Sequence, residues 1–571
     1  MNLDSILIIH NVFFIKFVKL LDLVNPIMKK TILFTIIVIS IIPSIALGQN
    51  INFWQNANNK NLSNLELIEY SADVEYFELF DLDKDGLSSY IDNAPDRFEI
   101  SNSSVFLDIP NPDGEMDTFQ IYSTPSMAEG LATNYPNIKS LVGYNINNKA
   151  HTLSITLSSQ GFYGMTLGSE HGQTFINPYA KNAETYIVFS KKDVLPEKLK
   201  AFQCHVEEQI DDEKLKPDYT QPKFIEDGIL RRYRLGVATT VEYSDYHLQQ
   251  NGLSAGDTSP TARATVQAAI VVSIDRVNQI YERDFGITLQ LIANNDQLIS
   301  LGDASSDPYI NNISSELLNQ NQTQLDSVIG SANYDIGHVL ATDGGGLAQT
   351  PAVCTSGKAR AASGLYSPVG EYYNISILSH EMGQSSNVNE NFATAMEPGS
   401  GSTIMSYAGV APPNVQNQSD AMFHYISISQ VSDKFITTTG SCAEEITIAN
   451  VAPVIQAIPD YTIPKNTPFK LEAIATDANA DALTYSWDQI DNDVVPNVPM
   501  PPESTSTSGP SFRTFLPVSS PARYFPAMPT LLNNQYSSMW EVLPTVGRNL
   551  NFGVVVRDNN ALGGQVAHES T

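Results

Sequence analysis

The stretch SHEMGQSSNVNE, residues 379–390, decides how this chain is read. It follows NISIL, and within NISILSHEMG the residues Ile375, Leu378 and Met382 recur at helical spacing toward a core. A helix places residues i and i+4 on one face. In the pattern His-Glu-x-x-His two imidazoles on that face hold zinc, and the Glu between them acts as general base on the metal-bound water. His380 and Glu381 stand as that pattern requires, but residue 384 is Gln. A His-Glu pair alone is a weak signal.

The signal is strengthened by EPGSGSTIMSYAG, residues 397–409. A Met in a tight turn beneath a zinc site marks the metzincin proteases, and Met405 in STIMSYAG matches that Met-turn. Order and spacing then agree along YDIGHVLATDGGGLAQTPAVC, SGKARAASG, HEMG, NFATAMEPGSGSTIMSYAG and NQSDAMFHYISISQV. In these runs the chain resembles the reprolysin-like (adamalysin-type) metzincin zinc metalloproteases of Bacteroidetes. The resemblance implies an α/β metzincin-like catalytic domain and a zinc-dependent endopeptidase acting on protein or peptide substrates. It also implies that β-rich residues 49–225 are a propeptide-like region. Residues 226–446 would be the metallopeptidase domain, and 447–571 an Ig-like (cadherin- or PKD-like) β-sandwich marked by ATDANADALTYSWDQ and MWEVLP.

The departure lies at the metal site. Relatives carry HExxHxxGxxH. Read without a gap, the ligands here are His380, Gln384 and Glu390, with Asn387 at the glycine position, where Asn tolerates positive φ. Gln384 offers only a neutral amide oxygen, which suits zinc poorly. Read with a gap, SNVNENFATAMEPGSG aligns with the loop before the Met-turn, and the third-ligand segment is missing. The gapped reading fits better, because only 25 residues separate His380 from Met405. A zinc site worth about 10–16 kcal/mol over four ligands gives roughly 3–4 per ligand. Losing two ligands weakens binding by about 10⁴–10⁶-fold. The expectation is a peptidase that is impaired or inactive as written. The alternative is a non-catalytic secreted protein, a pseudoprotease presenting peptide- or glycan-binding surfaces.

One further segment takes its role from the same resemblance. Gly346, Leu347 and Ala348 in DGGGLA lie at the edge strand that pairs with extended substrate. DGGGLA lacks the Lys-Ser/Thr of a phosphate loop. Cys354 and Cys442 are the pair expected to close a disulfide around the domain. Cys204 is either an ordinary thiol or a thiolate that caps the zinc before cleavage. His338 and His424 read as packed or surface imidazoles.

The wider chain fits an exported protein. It has 571 residues, with 62 Asp and Glu against 32 Lys and Arg, for a net charge of −30. So acidic a surface argues against nucleic-acid and anionic-membrane partners. MKKTILFTIIVISIIPSIALGQN, from Met28, has the basic start, apolar run and small-residue end of a signal peptide. Residues 1–48 therefore read as a leader with its true start at Met28, the mature protein as secreted or at the cell surface, off the membrane and monomeric. No later segment is long and apolar enough to span a bilayer. The chain reaches Thr571 without an obvious closing element, which reads as a truncated last domain.

Coarse patterning completes the expectations. SSVFLDIPNPDG and AETYIVFSKKD read as strands, and Lys191 to Lys223 as a linker. YRLGVATTVEY and ITLQLI read as strands flanking an amphipathic helix in which Val266, Ile270, Ile274, Val277 and Ile280 keep helical spacing. Calcium has two candidate places. One is DLDKDGLSSYID, from Asp81 to Asp92, where a solvated acidic turn is the better reading. The other is Asp477 and Asp481, where plain turn residues are an equal reading.

Overall fold

Period-two alternation in the first two hundred residues produces strands, and a computed structural model shows how they assemble. It describes residues 52–63, 65–68, 70, 73–99, 102–195, 224–385, 395–437, 442–492 and 498–571. The leader with Met28, Cys204 and most of the expected linker lie outside the described residues. Strands β1 (Trp54–Asn56), β2 (Glu78–Leu82), β3 (Phe106–Pro110), β4 (Met116–Ser123), β5 (Lys139–Asn145), β6 (Thr152–Ser158), β7 (Gly161–Ser169), β8 (Gly172–Pro178) and β9 (Thr185–Ser190) form one sheet. Its order is β1-β2-β9-β8-β7-β6-β5-β4-β3, antiparallel throughout. Leu107, Phe119, Ile155, Phe162 and Val188 fill a core on one face. Met165, Leu167, Phe175, Ile187 and Phe189 turn to the other face and join the core of the following domain.

The calcium-loop alternative at DLDKDGLSSYID does not form. Asp81 sits in β2, paired with Lys60 at 2.8 Å. Asp83 caps helix α1 (Lys84–Ile91), its Oδ1 accepting from the Gly86 amide at 3.0 Å. A carboxylate at an N-cap satisfies an orphan amide of the first turn, so this acidic run starts a helix rather than wrapping an ion.

The domain that follows is built around strand β10 (Ile229–Thr239) and a helix. Thr240 ends the strand early: its Oγ1 accepts from the Tyr243 amide at 3.2 Å and caps α2 (Val241–Gln250), so the VEY of YRLGVATTVEY is helical. Next comes α3 (Pro260–Phe285), with Ser259 as N-cap and Pro260 in its first turn. It stops at Gly286, whose φ of 61° is a left-handed conformation that glycine takes without strain. Val266, Ile270, Ile274, Val277 and Ile280 are all buried, as their spacing predicts.

The polar face of α3 is buried as well, because the N-terminal sheet covers it. Burial of polar groups requires partners, and they are present. Arg97 holds Glu282 through two bonds of 2.6 Å. Arg276 donates to Asn177 at 2.6 Å, and Gln279 to Thr152 at 3.2 Å. Ser140 and Thr156 donate to Asp275 Oδ2 at 2.7 and 2.5 Å. Periodicity reveals one apolar face of this helix; the sheet that covers the opposite face is distant in sequence.

Asp275 carries a pH prediction. Burial raises its pKa to about 6, against the lowering hydrogen bonds of Ser126, Thr156 and Ser140. The folded value lies above the unfolded one near 3.9, so its stabilising contribution is full below about pH 4 and is lost as pH rises through about 6. Two units correspond to about 2–3 kcal/mol. Asp275→Asn is expected to lessen the fall in stability between pH about 4 and about 8 by roughly that amount, measured by urea unfolding. An unchanged pH profile would contradict this assignment.

The second sheet contains β10, β11 (Ile287–Leu291), β12 (Ile336–Ala341), β13 (Gly346–Ala348), β14 (Ala361–Gly364) and β15 (Glu444–Thr447). Its path runs β11-β10-β12-β14-β13, with β15 antiparallel to β10. The pairs β10–β11, β10–β12 and β12–β14 are parallel. Helix α4 (Ser314–Val328) covers β12 through Leu317, Leu318 and Leu325. Gly344 and Gly345, with φ of 84° and 69°, turn the chain into β13, which pairs antiparallel with β14 and forms the sheet's edge among the described residues. A disulfide joins Cys354 to Cys442 with a Cα–Cα distance of 5.9 Å.

After β15 the chain is all short strands: β16 (Val454–Ile455), β17 (Phe469–Glu472), β18 (Ala475–Thr476), β19 (Thr484–Gln489), β20 (Ala522–Phe525), β21 (Ser537–Ser538), β22 (Glu541–Val542), β23 (Phe552–Arg557) and β24 (Val566–Ser570). Sheets β17-β20 and β19-β23-β24 share a core of Leu471, Trp487, Phe525, Val554 and Val556. This region docks on the preceding domain. Arg557 reaches Asp284 of α3 at 2.7 Å, and the Tyr425 amide donates to Asp488 at 2.9 Å. No helix among the described residues is long and apolar enough to cross a membrane.

Candidate active site

The helix carrying His380 begins as a wider turn. Residues Tyr372–Leu378 form a π-helix that runs into α5 (Ser379–Ser385), and Ser379 Oγ donates to the Asn374 carbonyl at 2.8 Å. Wide turns of this kind recur at functional sites. Ile375, Leu378 and Met382 are buried, as the sequence predicts. Tyr281 of α3 anchors the start of α5 by donating to the Ser379 carbonyl at 2.9 Å. Burial, with the Glu381 carboxylate nearby, holds the Tyr281 hydroxyl well above the ordinary phenol range.

His380 is oriented by its second nitrogen. Nδ1 lies 2.8 Å from the Ile404 carbonyl, an acceptor only, so Nδ1 is the protonated nitrogen and Nε2 carries the lone pair. That is how a backbone carbonyl presents an imidazole for metal binding. Glu381 is fully buried and lies against β13: a Cβ on Gly346 would stand 1.9 Å from its Oε1. The edge strand and the carboxylate thus touch because residue 346 has no side chain.

Met405 lies beneath the helix. A Cβ on Gly383 would stand 2.6 Å from the Met405 sulfur, so Gly383 makes the room that the methionine fills. Glu397 organises its turn, Oε1 accepting from the Ser402 amide at 2.8 Å and Oε2 from Thr403 Oγ1 at 2.6 Å. Glu397 has no role in the sequence reading; its signal is a carboxylate just before a Gly/Ser turn rich in unpaired amides. The Ile404 amide donates to the Met422 carbonyl at 3.0 Å, tying the turn to NQSDAMFHY. His380, Glu381 and Met405 therefore converge as one constellation.

Residues 230–434 match the family model of the Metallo-peptidase family M12B, reprolysin-like. Over this stretch the chain is similar to the reprolysin-like metallopeptidases. No curated protein matches the chain. The family is generally zinc-dependent.

A catalytic zinc needs three protein ligands and one open position. In this reprolysin-like domain Gln384 takes the i+4 place, and its Nε2 lies 3.2 Å from His380 Nε2. The carboxamide donates to the lone pair that a metal would use. Asn387 and Glu390 lie outside the described residues. Among the described residues, three His, Cys, Asp or Glu side chains converge only at Asp477, Asp481 and Asp558, away from His380. The described residues of the reprolysin-like domain supply one good zinc donor and do not fit a catalytic zinc site.

The remaining histidines are packed. His338 on β12 is wholly buried, bonds Ser363 at 2.9 Å, and is pushed down to about 3 by burial. His424 is buried too, its Nδ1 accepting from the Ile426 amide at 3.2 Å. Gly346, Leu347 and Ala348 form β13, whose backbone faces β14 on one side. Its other side has no strand among the described residues, which suits pairing with an extended chain.

Proposed function

We propose that the chain is an exported, monomeric member of a protein-hydrolysing family that engages extended polypeptide along Gly346–Ala348 and is impaired or inactive in hydrolysis. The similarity to that family supports a proteolytic ancestry and a protein substrate. One observation carries the impairment: the Gln384 carboxamide occupies His380 Nε2. With that nitrogen engaged by an amide, the buried Glu381 is left without a metal-bound water to activate. The same observation favours the second reading, a non-catalytic protein that binds peptides or glycans.

The proposal extends to the flanking regions. Residues 49–225 are proposed to be the propeptide-like region; the β-rich sheet packed on α3 supports this. Residues 447–571 are proposed to be Ig-like; the shared core of two small sheets supports that.

Digestion of casein by the purified full chain, with Glu381→Ala as control, tests the reading. The expected result is cleavage at background for both proteins. Robust cleavage that Glu381→Ala abolishes would overturn it. Slow cleavage removed by Glu381→Ala supports an impaired enzyme, and binding of casein without cleavage supports the non-catalytic reading.

A further inference from the structure

We propose that Trp540 and Met500, in the C-terminal region, are positioning residues for His380. They clamp the turn whose Ile404 carbonyl orients the imidazole. The inference concerns orientation, so it does not depend on whether the site hydrolyses anything.

The turn is poorly equipped to hold itself. Residues 397–403 read EPGSGST, with two glycines and no apolar side chain besides Pro398. Glycine loses the most backbone freedom on folding, and a stretch without apolar side chains has little burial to offset that loss. Gly399 and Gly401 both take positive φ, 58° and 68°. Glu397 restrains the turn from within, through Ser402 and Thr403. Further restraint comes from outside it.

Trp540 supplies the first grip. It is 8% exposed and sits in the two-residue connection between β21 and β22. Its ring lies on Gly399: a Cβ there would stand 2.7 Å from Cζ3 and 2.8 Å from Cη2 of the indole. The same Cβ would stand 2.6 Å from the Pro413 carbonyl. Residue 399 therefore has to be glycine, both for its φ and for the closeness of the ring.

Other grips come from the same region. The Gly399 amide donates to the Met500 sulfur at 3.3 Å, a thioether being a weak acceptor. Ser402 Oγ shares its proton between Glu397 Oε1 at 2.9 Å and the Thr514 carbonyl at 3.3 Å. Arg513 donates to Gln416, whose Nε2 reaches the Ser402 carbonyl at 3.4 Å. The Arg513 amide in turn donates to the Trp540 carbonyl at 3.0 Å, which joins these contacts into one corner.

From the turn the restraint reaches His380 in two steps. The Tyr407 amide donates to the Ser400 carbonyl at 2.9 Å, which closes the backbone around Ile404 and Met405. The Ile404 carbonyl then faces His380 Nδ1 at 2.8 Å. The hydrogen bond at one ring nitrogen decides which nitrogen carries the proton, so a wandering carbonyl would mix the tautomers. The competing role for Trp540 is plain packing between regions. Loss of such packing costs stability but leaves the turn and the imidazole as they are in the folded protein.

Hydrogen–deuterium exchange read by mass spectrometry, with NMR of ring-¹⁵N histidine, tests this on the full chain. In Trp540→Ala, peptides covering residues 399–408 should exchange at least about tenfold faster while β19 and β23 stay protected. The His380 signal, assigned by its loss in His380→Gln, should change from the Nδ1–H tautomer to a mixture. Met500→Leu, which keeps the volume and removes the acceptor, should loosen the same peptides to a smaller extent. Trp540→Phe should restore most of the protection. Should Trp540→Ala fail to fold, Met500→Leu decides by the same two readouts. Turn protection and a His380 tautomer equal to wild type in the folded variants would overturn the proposal, as would loosening spread evenly over the C-terminal region. Neither readout is proteolysis, so an active or inactive His380 site does not alter the result.

Discussion

Replacing Arg557 by alanine is expected to destabilise the full chain by about 3–5 kcal/mol. Arg557 is wholly buried. Its guanidinium donates to Asp284 at 2.7 Å, Ser486 at 2.9 Å and the Phe423 carbonyl at 3.3 Å. Three regions meet there: α3, the segment before α6 (Tyr425–Thr437), and the β19–β23 sheet. Burial alone would raise the Asp284 carboxyl, but Arg283 and Arg557 outweigh it and hold it at about 2. The depressed value means that Asp284 stabilises the fold above the unfolded pKa near 3.9, and that this is lost as pH falls through about 2.

Removing Arg557 takes away one of the two cations and leaves a buried carboxylate short of compensation. The single variant Arg557→Ala should therefore lose more than the double variant with Asp284→Asn loses beyond Asp284→Asn alone. Urea unfolding of the four proteins measures the coupling. A loss below about 1 kcal/mol for Arg557→Ala would contradict a locking role.

Replacing Gln384 by histidine should raise zinc affinity about 10²–10³-fold, the equivalent of one ligand at roughly 3–4 kcal/mol. The substitution restores two imidazoles one turn apart on α5 and removes the carboxamide from His380 Nε2. His380 is already held for this by the Ile404 carbonyl. Competition against a chromophoric chelator reads the change. Equal affinity in wild type and variant would mean that residue 384 does not limit metal binding.

Much of this architecture was legible in sequence because its signals are local. The caps of α3, Ser259 and Gly286, bracket the predicted periodic run. Met405 could be placed beneath His380 through the resemblance of STIMSYAG to a metzincin Met-turn. The relation between His380 and Gln384 follows directly from helical spacing. What escaped depends on distant partners. The periodicity of α3 marks only its apolar positions; its polar residues are buried by Arg97, Ser140, Thr156 and Asn177. Asp558 could not be joined to Asp477 and Asp481, because only the antiparallel pairing of β19 with β23 brings them together. Thr240 turned an apparent strand into a cap, since one hydroxyl outweighs the β-propensity of the residues after it.

The central claim is that the reprolysin-like domain keeps the orientation of His380 and the placement of Glu381 and Met405, but has an amide where a metal ligand belongs. Zinc content per chain, measured on the purified full-length protein after dialysis against equimolar zinc, tests it most directly. The account predicts zinc well below one ion per chain, rising toward one in Gln384→His. One zinc per wild-type chain, lost on His380→Ala, would contradict it.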